Sequence, residues 1–255
     1  MEARYAIRKR QLLDACQVSP EIFEHVIPRL YSFMKPFVTI FQGQVGDQHA
    51  KTYVCGLLSN LARKNVESMA YRFGHSRLPL QAFIGWEEWD DEPLRLALRP
   101  QVKTHVGQGD GVLGFDPAGC PQSGRQAVGV ARQWCGRLGK VDNCHVAMSL
   151  GYVSSKGHPL VDQRLFLPKE WTKDKARLDK AGVPKAYRAY RTRHQLALEM
   201  LATNGAWLPH GWMSGDDEMG RPYGFRRRLA TLGERSLLAI PSNTARRDLE
   251  TEPLE

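Results

Sequence analysis

Between residues 47 and 62 apolar side chains recur at Tyr53, Val54, Leu57, Leu58 and Leu61. That three- and four-residue spacing predicts a helix with one apolar stripe, and Asp47 stands where its N-cap belongs. A break at 63–65 precedes a second helical piece, VESMAYRFG, closed by Gly74. A third, LPLQAFIGWEEW, follows Ser76. Helix, short turn, helix is the skeleton of a helix-turn-helix. A small helical cap packed on a core would give the same pattern.

From residue 107 the pattern changes. GVLGF is a short apolar run ending at Asp116, followed by the turn PAGCPQSG, and QAVGVARQW offers a further extended piece. NCHVAMSLGYVS alternates, with Val146, Met148, Leu150 and Tyr152 on one face, so it reads as a strand. HPLVDQRLFLP, between prolines 159 and 168, reads as another. A helix is predicted over 193–204 with Leu196, Ala197, Met200 and Leu201 inward and Gly205 as its stop. A short strand over 211–215 runs into Asp216-Asp217-Glu218. Pro222 opens a helix with the stripe Phe225, Leu229 and Leu232, ended by Gly233, and RSLLAIP is a last strand. Consecutive strands suit an antiparallel meander, and the later alternation suits parallel additions at one edge. The expected fold is α/β: an RNase H-like mixed sheet with flanking helices, behind a helical N-terminal region. The expected domains are 1–105, a helical and DNA-binding region, and 106–255, the sheet domain.

A chain of 255 residues can bury a core in one large domain or two modest ones. No run of about 18 apolar residues offers a membrane span. The first residues lack an apolar signal region, and the five cysteines are scattered without a CxxC pair. A reducing cytoplasm is the expected location. The net charge of +9 asks for an anionic partner, most commonly nucleic acid. Lys173, Lys175, Arg177, Lys180, Lys185, Arg188, Arg191 and Arg193 crowd one segment, relieved by Asp174 and Asp179. Arg226, Arg227 and Arg228 sit beside Arg221. Trp171, Tyr187 and Tyr190 interleave with the first cluster, as a surface that contacts phosphates and stacks bases would require. A solvated loop has the same composition. Lys173, Lys175, Arg188, Arg191, Arg193, Arg226, Arg227 and Arg228 are the DNA-binding candidates.

Asp116 and Asp216 each close a short apolar segment just before a glycine-containing turn. Strand ends are where α/β sheets place ligands, and the first and fourth strands of an RNase H-like sheet are neighbours. Paired there, the two carboxylates could hold divalent cations about 3.5–4 Å apart. Mg²⁺ (or Mn²⁺) suits such oxygen ligands. A turn or cap role is the alternative for each aspartate alone. Asp142 and Asp162 read as turn and surface residues. His145, His158, His194 and His210 show no ligand spacing and read as surface or core residues. A GxGxxG match at Gly109, Gly111 and Gly114 precedes a strand, the wrong context for a dinucleotide site.

The runs GVLGFDPAGCPQSGRQAVGVARQWCGRLGKVDNCHVAMSLGYVS, HPLVDQRLFLPKEW, AGVP, LALEML and GDDEMGRPYGFRRRL, with LARKNVESMA upstream, resemble the DDE-superfamily insertion-sequence transposases in order and content. The resemblance spans about residues 20–249. It implies metal-dependent DNA cleavage and strand transfer, binding to transposon terminal repeats and target DNA, and a homo-oligomer as a further expectation. Asp116 in GFDPAG matches the first catalytic Asp and Asp216 in GDDEMG the second, with Asp217 a second choice. The resemblance also implies a third carboxylate, a Glu, on a helix beyond the last strand. Glu250 and Glu252 lie near that spacing, yet Pro253 disfavours a helix there. They read as a solvated tail, so the chain is expected to be a C-terminally shortened copy. The rival readings are a catalytically inactive DNA-binding remnant and a nuclease that hydrolyses without joining.

Overall fold

The computed structural model describes residues 25–41 and 43–244. The chain forms two compact units that divide between Leu94 and Arg95.

The first unit holds helices α1 (Val26–Val38), α2 (Gly43–Leu58), α3 (Val66–Arg72) and α4 (Arg77–Gly85). Helix α2 begins four residues before the expected cap. Asp47 therefore lies inside it and forms an i,i+4 ion pair with Lys51 at 2.8 Å instead of capping. The helix also stops at Leu58, so Leu61 falls beyond it. Helix α3 is capped within the break that precedes it. The Asn65 side chain accepts from the Ser68 N–H at 2.8 Å, and Gly74 follows with φ +69°. Met34, Val38, Ala50, Met69, Ala70, Leu80 and Phe83 form the unit's core. Gly56 lets α2 and α3 meet, since a Cβ there would lie 2.5 Å from Met69 Cγ.

Helix α5 (Glu92–Val106) crosses the division at 94/95 and leads into the sheet unit. The sheet is built from β1 (Val112–Pro121), β2 (Ala131–Cys135), β3 (Lys140–Val153), β4 (Leu160–Phe166), β5 (Trp212–Gly215) and β6 (Ser236–Leu238). Its order is β2-β3-β1-β5-β6, with β4 also on β3. Strands β1 to β4 pair antiparallel, and β5 and β6 add in parallel beside β1. This is the RNase H-like mixed sheet.

Strand β1 is longer than its apolar run. Pairing with β3 continues through Asp116↔Ser149 to Pro121↔Cys144, so the expected turn starts only after Pro121. The two prolines allow this because of their parity. The Gln122 N–H donates to Asn143 O at 2.9 Å, so the alternation of an antiparallel ladder turns positions 117 and 121 toward the other edge. That edge is vacated once the β5 pairing ends at Gly215, and proline tolerates an edge.

Leu113, Phe115, Met148, Leu150, Tyr152 and Met213 face the core. Against them pack Leu196, Ala197, Met200 and Leu201 of α8 (Arg193–Asn204) and Phe225 and Leu229 of α10 (Tyr223–Thr231). Each buried Leu, Met or Phe among them contributes about 1.5–3 kcal/mol. Thr192 and Gln195 form a reciprocal capping box at the start of α8. The α-helix stops at Gly205 as expected, although Gly205 is right-handed (φ −57°) and the chain runs on into a 3₁₀ turn over Gly205–Trp207. One expectation needs correction. Leu232 is the exposed C-cap of α10 and not part of its buried stripe; Gly233, at φ +78°, makes the turn out of the helix. Among the described residues, no helix is long and apolar enough to cross a membrane.

Candidate active site

The parallel register Gly114↔Ser214 and Phe115↔Gly215 brings Asp116 and Asp216 to the next step on neighbouring strands, which run about 4.8 Å apart. Asp116 stays within β1, opposite Ser149. Asp216 leaves β5 and caps the short helix α9 (Asp217–Gly220), its Oδ1 accepting from the Met219 N–H at 3.1 Å. Both aspartates line one open pocket, with Gly114, Ser149, Gly151 and Ser214 as its floor. The Asp116 carboxylate has no hydrogen-bond or ion-pair partner among the described residues. Partial desolvation, and then the charges of Glu218, Asp116 and Asp217, push the Asp216 carboxyl above its ordinary range against the pull of the Met219 N–H. Asp217 turns instead to Arg221, 3.3 Å away.

A profile described as DDE superfamily endonuclease matches residues 37–255. The chain belongs to the DDE superfamily endonucleases. No curated protein matches it.

In a DDE endonuclease the donor chemistry at this pocket suits a divalent cation. Two carboxylates converge with no lysine or arginine paired to either among the described residues, so a hard cation would relieve their mutual repulsion. No group of three or more His, Cys, Asp or Glu able to hold a metal forms among the described residues. Glu250 and Glu252 lie outside the described residues.

Behind Asp216 stands a brace that sequence reasoning did not find. Arg193 Nη1 donates to both carboxylate oxygens of Glu218, at 2.7 and 2.8 Å. His194 Nε2 lies 2.9 Å from Glu218 O, and its ring meets Phe225 edge-on. The first turn of α8 thus holds the backbone two residues after Asp216. One signal was present in the sequence: Arg193 is the first residue of a helix, where the dipole disfavours a cation, so a nearby anion was to be sought.

The basic candidates separate into two sets. Lys173 and Lys175, on α6 (Lys169–Lys173) and α7 (Lys175–Lys180), are exposed, as are Arg227 and Arg228. None of these four has an ion-pair partner among the described residues. The other four are engaged within the fold. Arg188 donates to Val183 O at 2.7 Å and pairs with Asp179. Arg191 pairs with Glu199 at 2.6 Å, Arg193 with Glu218, and Arg226 donates to the carbonyls of Gly220 and Arg221. Trp171 is fully buried, its indole N–H on Val130 O at 2.8 Å and the Arg177 guanidinium 3.6 Å above its ring. It cannot stack on a base; it is the core of a small cluster with Leu167, Leu178 and Val183. Tyr187 remains exposed.

Asp162 is likewise no surface residue. Its side chain is 2% exposed and accepts from Asn204 Nδ2 at 3.1 Å and Arg164 Nη2 at 3.3 Å, with Arg95 Nε at 3.7 Å. Asp142 lies within β3, not in a turn. The Lys140 ammonium first, then the Asn143 N–H, hold its carboxyl below the usual range.

Proposed function

We propose that this DDE endonuclease is a transposase that cuts and joins DNA at insertion-sequence ends, with Asp116 and Asp216 holding Mg²⁺ or Mn²⁺. The observation that carries this reading is the meeting of these two carboxylates, a hundred residues apart in sequence, at the same step of adjacent parallel strands, with no lysine or arginine paired to either among the described residues. When bound, such ions activate the attacking oxygen and stabilise the leaving oxygen at phosphorus. The chain's own residues supply the setting. Asp116 offers both oxygens, whereas Asp216 keeps one for the Met219 N–H and leaves the other for a ligand. Glycines 114 and 151 and the short Ser149 and Ser214 keep the floor low, so a sugar-phosphate backbone can approach the acids. Arg193 and His194 hold the Asp216 turn in place.

Lys173, Lys175, Arg227 and Arg228 are proposed to contact DNA phosphates, since they are exposed and without ion-pair partners. The helices of the first unit are proposed to bind the terminal repeats, on the strength of the close α2–α3 pair. A third carboxylate belongs to this reading and has to come from outside the described residues. The rival reading, a DNA-binding remnant without catalysis, is favoured by the gathering of only two acids at the pocket among those residues.

The test is an assay with labelled DNA carrying the element's ends, in Mg²⁺ or Mn²⁺. Nicking and 3′-end joining are expected from the native chain, and Asp116→Ala or Asp216→Ala should lower the rate by at least about a hundredfold, because misplacement at a reacting centre already costs that much. Glu250→Ala and Glu252→Ala should leave the rate unchanged if these residues are a solvated tail. DNA binding with no cleavage in either metal supports the remnant.

A further inference from the structure

On the face of the sheet opposite the core, β1 and the middle of β3 carry short and polar side chains, with Leu165 of β4 beside Ala147. Register carries this face from strand to strand. Asp116 stands opposite Ser149, Ala118 opposite Ala147, and Cys120 opposite His145. Farther along β3, Arg132 stands opposite Asn143 and Trp134 opposite Val141. Directly opposed residues project to the same side of a sheet. The face that presents Asp116 therefore also presents Cys120, His145, Arg132 and Trp134. Burial follows the same alternation: Cys144, Val146, Met148 and Leu150 are shut in, while their neighbours 143, 145 and 147 are half-buried.

Nothing longer than alanine stands on β1 between Asp116 and Cys120 on this face. At the far end a large aromatic is left in solvent. Trp134 is 54% exposed, and Val141 beside it 50%. Arg132, on the same face, is exposed and, among the described residues, makes only a long 3.5 Å bond to Val141 O. Arg137, in the turn that joins β2 to β3, is also exposed. An aromatic ring with guanidinium groups beside it, at the end of a low floor, is the combination that single-stranded nucleic acid uses: base stacking on the ring, phosphate on the cation. The nine residues of β3 from Ser149 to Val141 make eight steps of roughly 3.3 Å, about 26 Å in all. At the duplex spacing of about 3.4 Å per nucleotide that is about eight nucleotides, and fewer in an extended unpaired strand.

We infer that this open face seats an unpaired DNA strand running from the Asp116–Asp216 pocket to the β2–β3 hairpin, where Trp134 stacks on a base and Arg132 holds the backbone. The inference rests on the function proposed above and adds the track and the strand's unpaired state. The apolar tip alone would also suit a protein partner. The adjoining arginines and the anionic substrate of the proposed reaction favour DNA.

Cys120 gives a direct readout, because it is exposed in the middle of the track while Cys135 and Cys144 are buried. The full chain, with Mg²⁺, is treated with N-ethylmaleimide in the presence and absence of a 20-nucleotide single strand of arbitrary sequence. Modification of Cys120 is followed by peptide mass, and binding is followed in parallel by fluorescence anisotropy. Saturating oligonucleotide is expected to slow Cys120 alkylation at least about fivefold. Trp134→Ala and Arg132→Ala should each weaken binding at least about fivefold, the low end of what one stacked base contributes. Trp134→Phe should retain most of it, and circular dichroism melting checks that the variants fold. If the strand binds, or element-end DNA is cleaved, while Cys120 reacts at an unchanged rate, the track is wrong and the proposed function stands. If Cys120 is inert without DNA, another part of the protein covers the face and the track is again wrong. If no DNA is bound or cleaved at all, both readings fall together.

Discussion

Asp216 carries two loads at once: it caps α9 through one oxygen and sits desolvated among Glu218, Asp116 and Asp217. A carboxyl whose folded pKa lies above its unfolded value favours the fold only while protonated. That contribution is present below the unfolded pKa and is lost as pH rises through the folded one. At neutral pH, without metal, the ionised group therefore opposes folding. Asparagine can still accept the Met219 N–H as a cap and carries no charge. Asp216→Asn should melt at a higher temperature than the native chain at pH 7 in EDTA, and the gap should close as pH falls through the carboxylate range. An equal or lower melting temperature at pH 7 would show that the acid cluster is not strained. The place of this residue at a strand end beside Asp116 was legible in the sequence from the short apolar segment before it. The burial of Asp162 was not. It lies between Val161 and Gln163 in a strand with no clean alternation, and nothing local announces that Asn204 and Arg95, distant in sequence, arrive as partners.

At the level of elements, the first turn of α8 does more than begin a helix. Thr192 and Gln195 close its N-terminus, and the next two residues, Arg193 and His194, grip the turn that follows Asp216. Arg193 was a DNA-binding candidate, and the structure gives it an internal partner at 15% side-chain exposure. The two roles predict different losses. As a brace, Arg193→Ala should lower the cleavage rate while the salt dependence of DNA binding stays as it was. As a phosphate contact, it should lower the slope of log K against log salt by about 0.9. Measuring both quantities on the one variant separates them. Helices and strands with a strong period were readable: β3, β4, α8 and α10 fall where their apolar spacing puts them. The length of β1 was not, because glycine and two prolines read as a turn until β3 and the vacated edge supply a reason for them to continue.

On the scale of the molecule, the 36 lysines and arginines behind the +9 charge are not all free to make contacts. Arg188, Arg191, Arg193 and Arg226 are committed to Asp179, Glu199, Glu218 and backbone carbonyls. Single-chain composition cannot reveal this, since the carboxylates that neutralise them lie up to 25 residues away. Replacing Lys173, Lys175, Arg227 and Arg228 with glutamine should flatten the salt slope by about 0.9 for each phosphate lost. Replacing Arg188 and Arg191 should change it less and destabilise the fold instead. Equal slopes for the native and the fourfold variant would move DNA binding to other surfaces.

The central claim is that Asp116 and Asp216 hold a divalent ion jointly across two strands. Iron(II) in place of Mg²⁺, with ascorbate and peroxide, cuts the polypeptide close to wherever the ion is bound, and the fragments can be mapped by mass. Cuts should gather at three places that only this sheet brings together, near residues 114–116, 149–151 and 214–216, and should disappear in Asp116→Ala and in Asp216→Ala. Cuts confined to one of these segments, or unchanged by either substitution, would contradict a shared metal site.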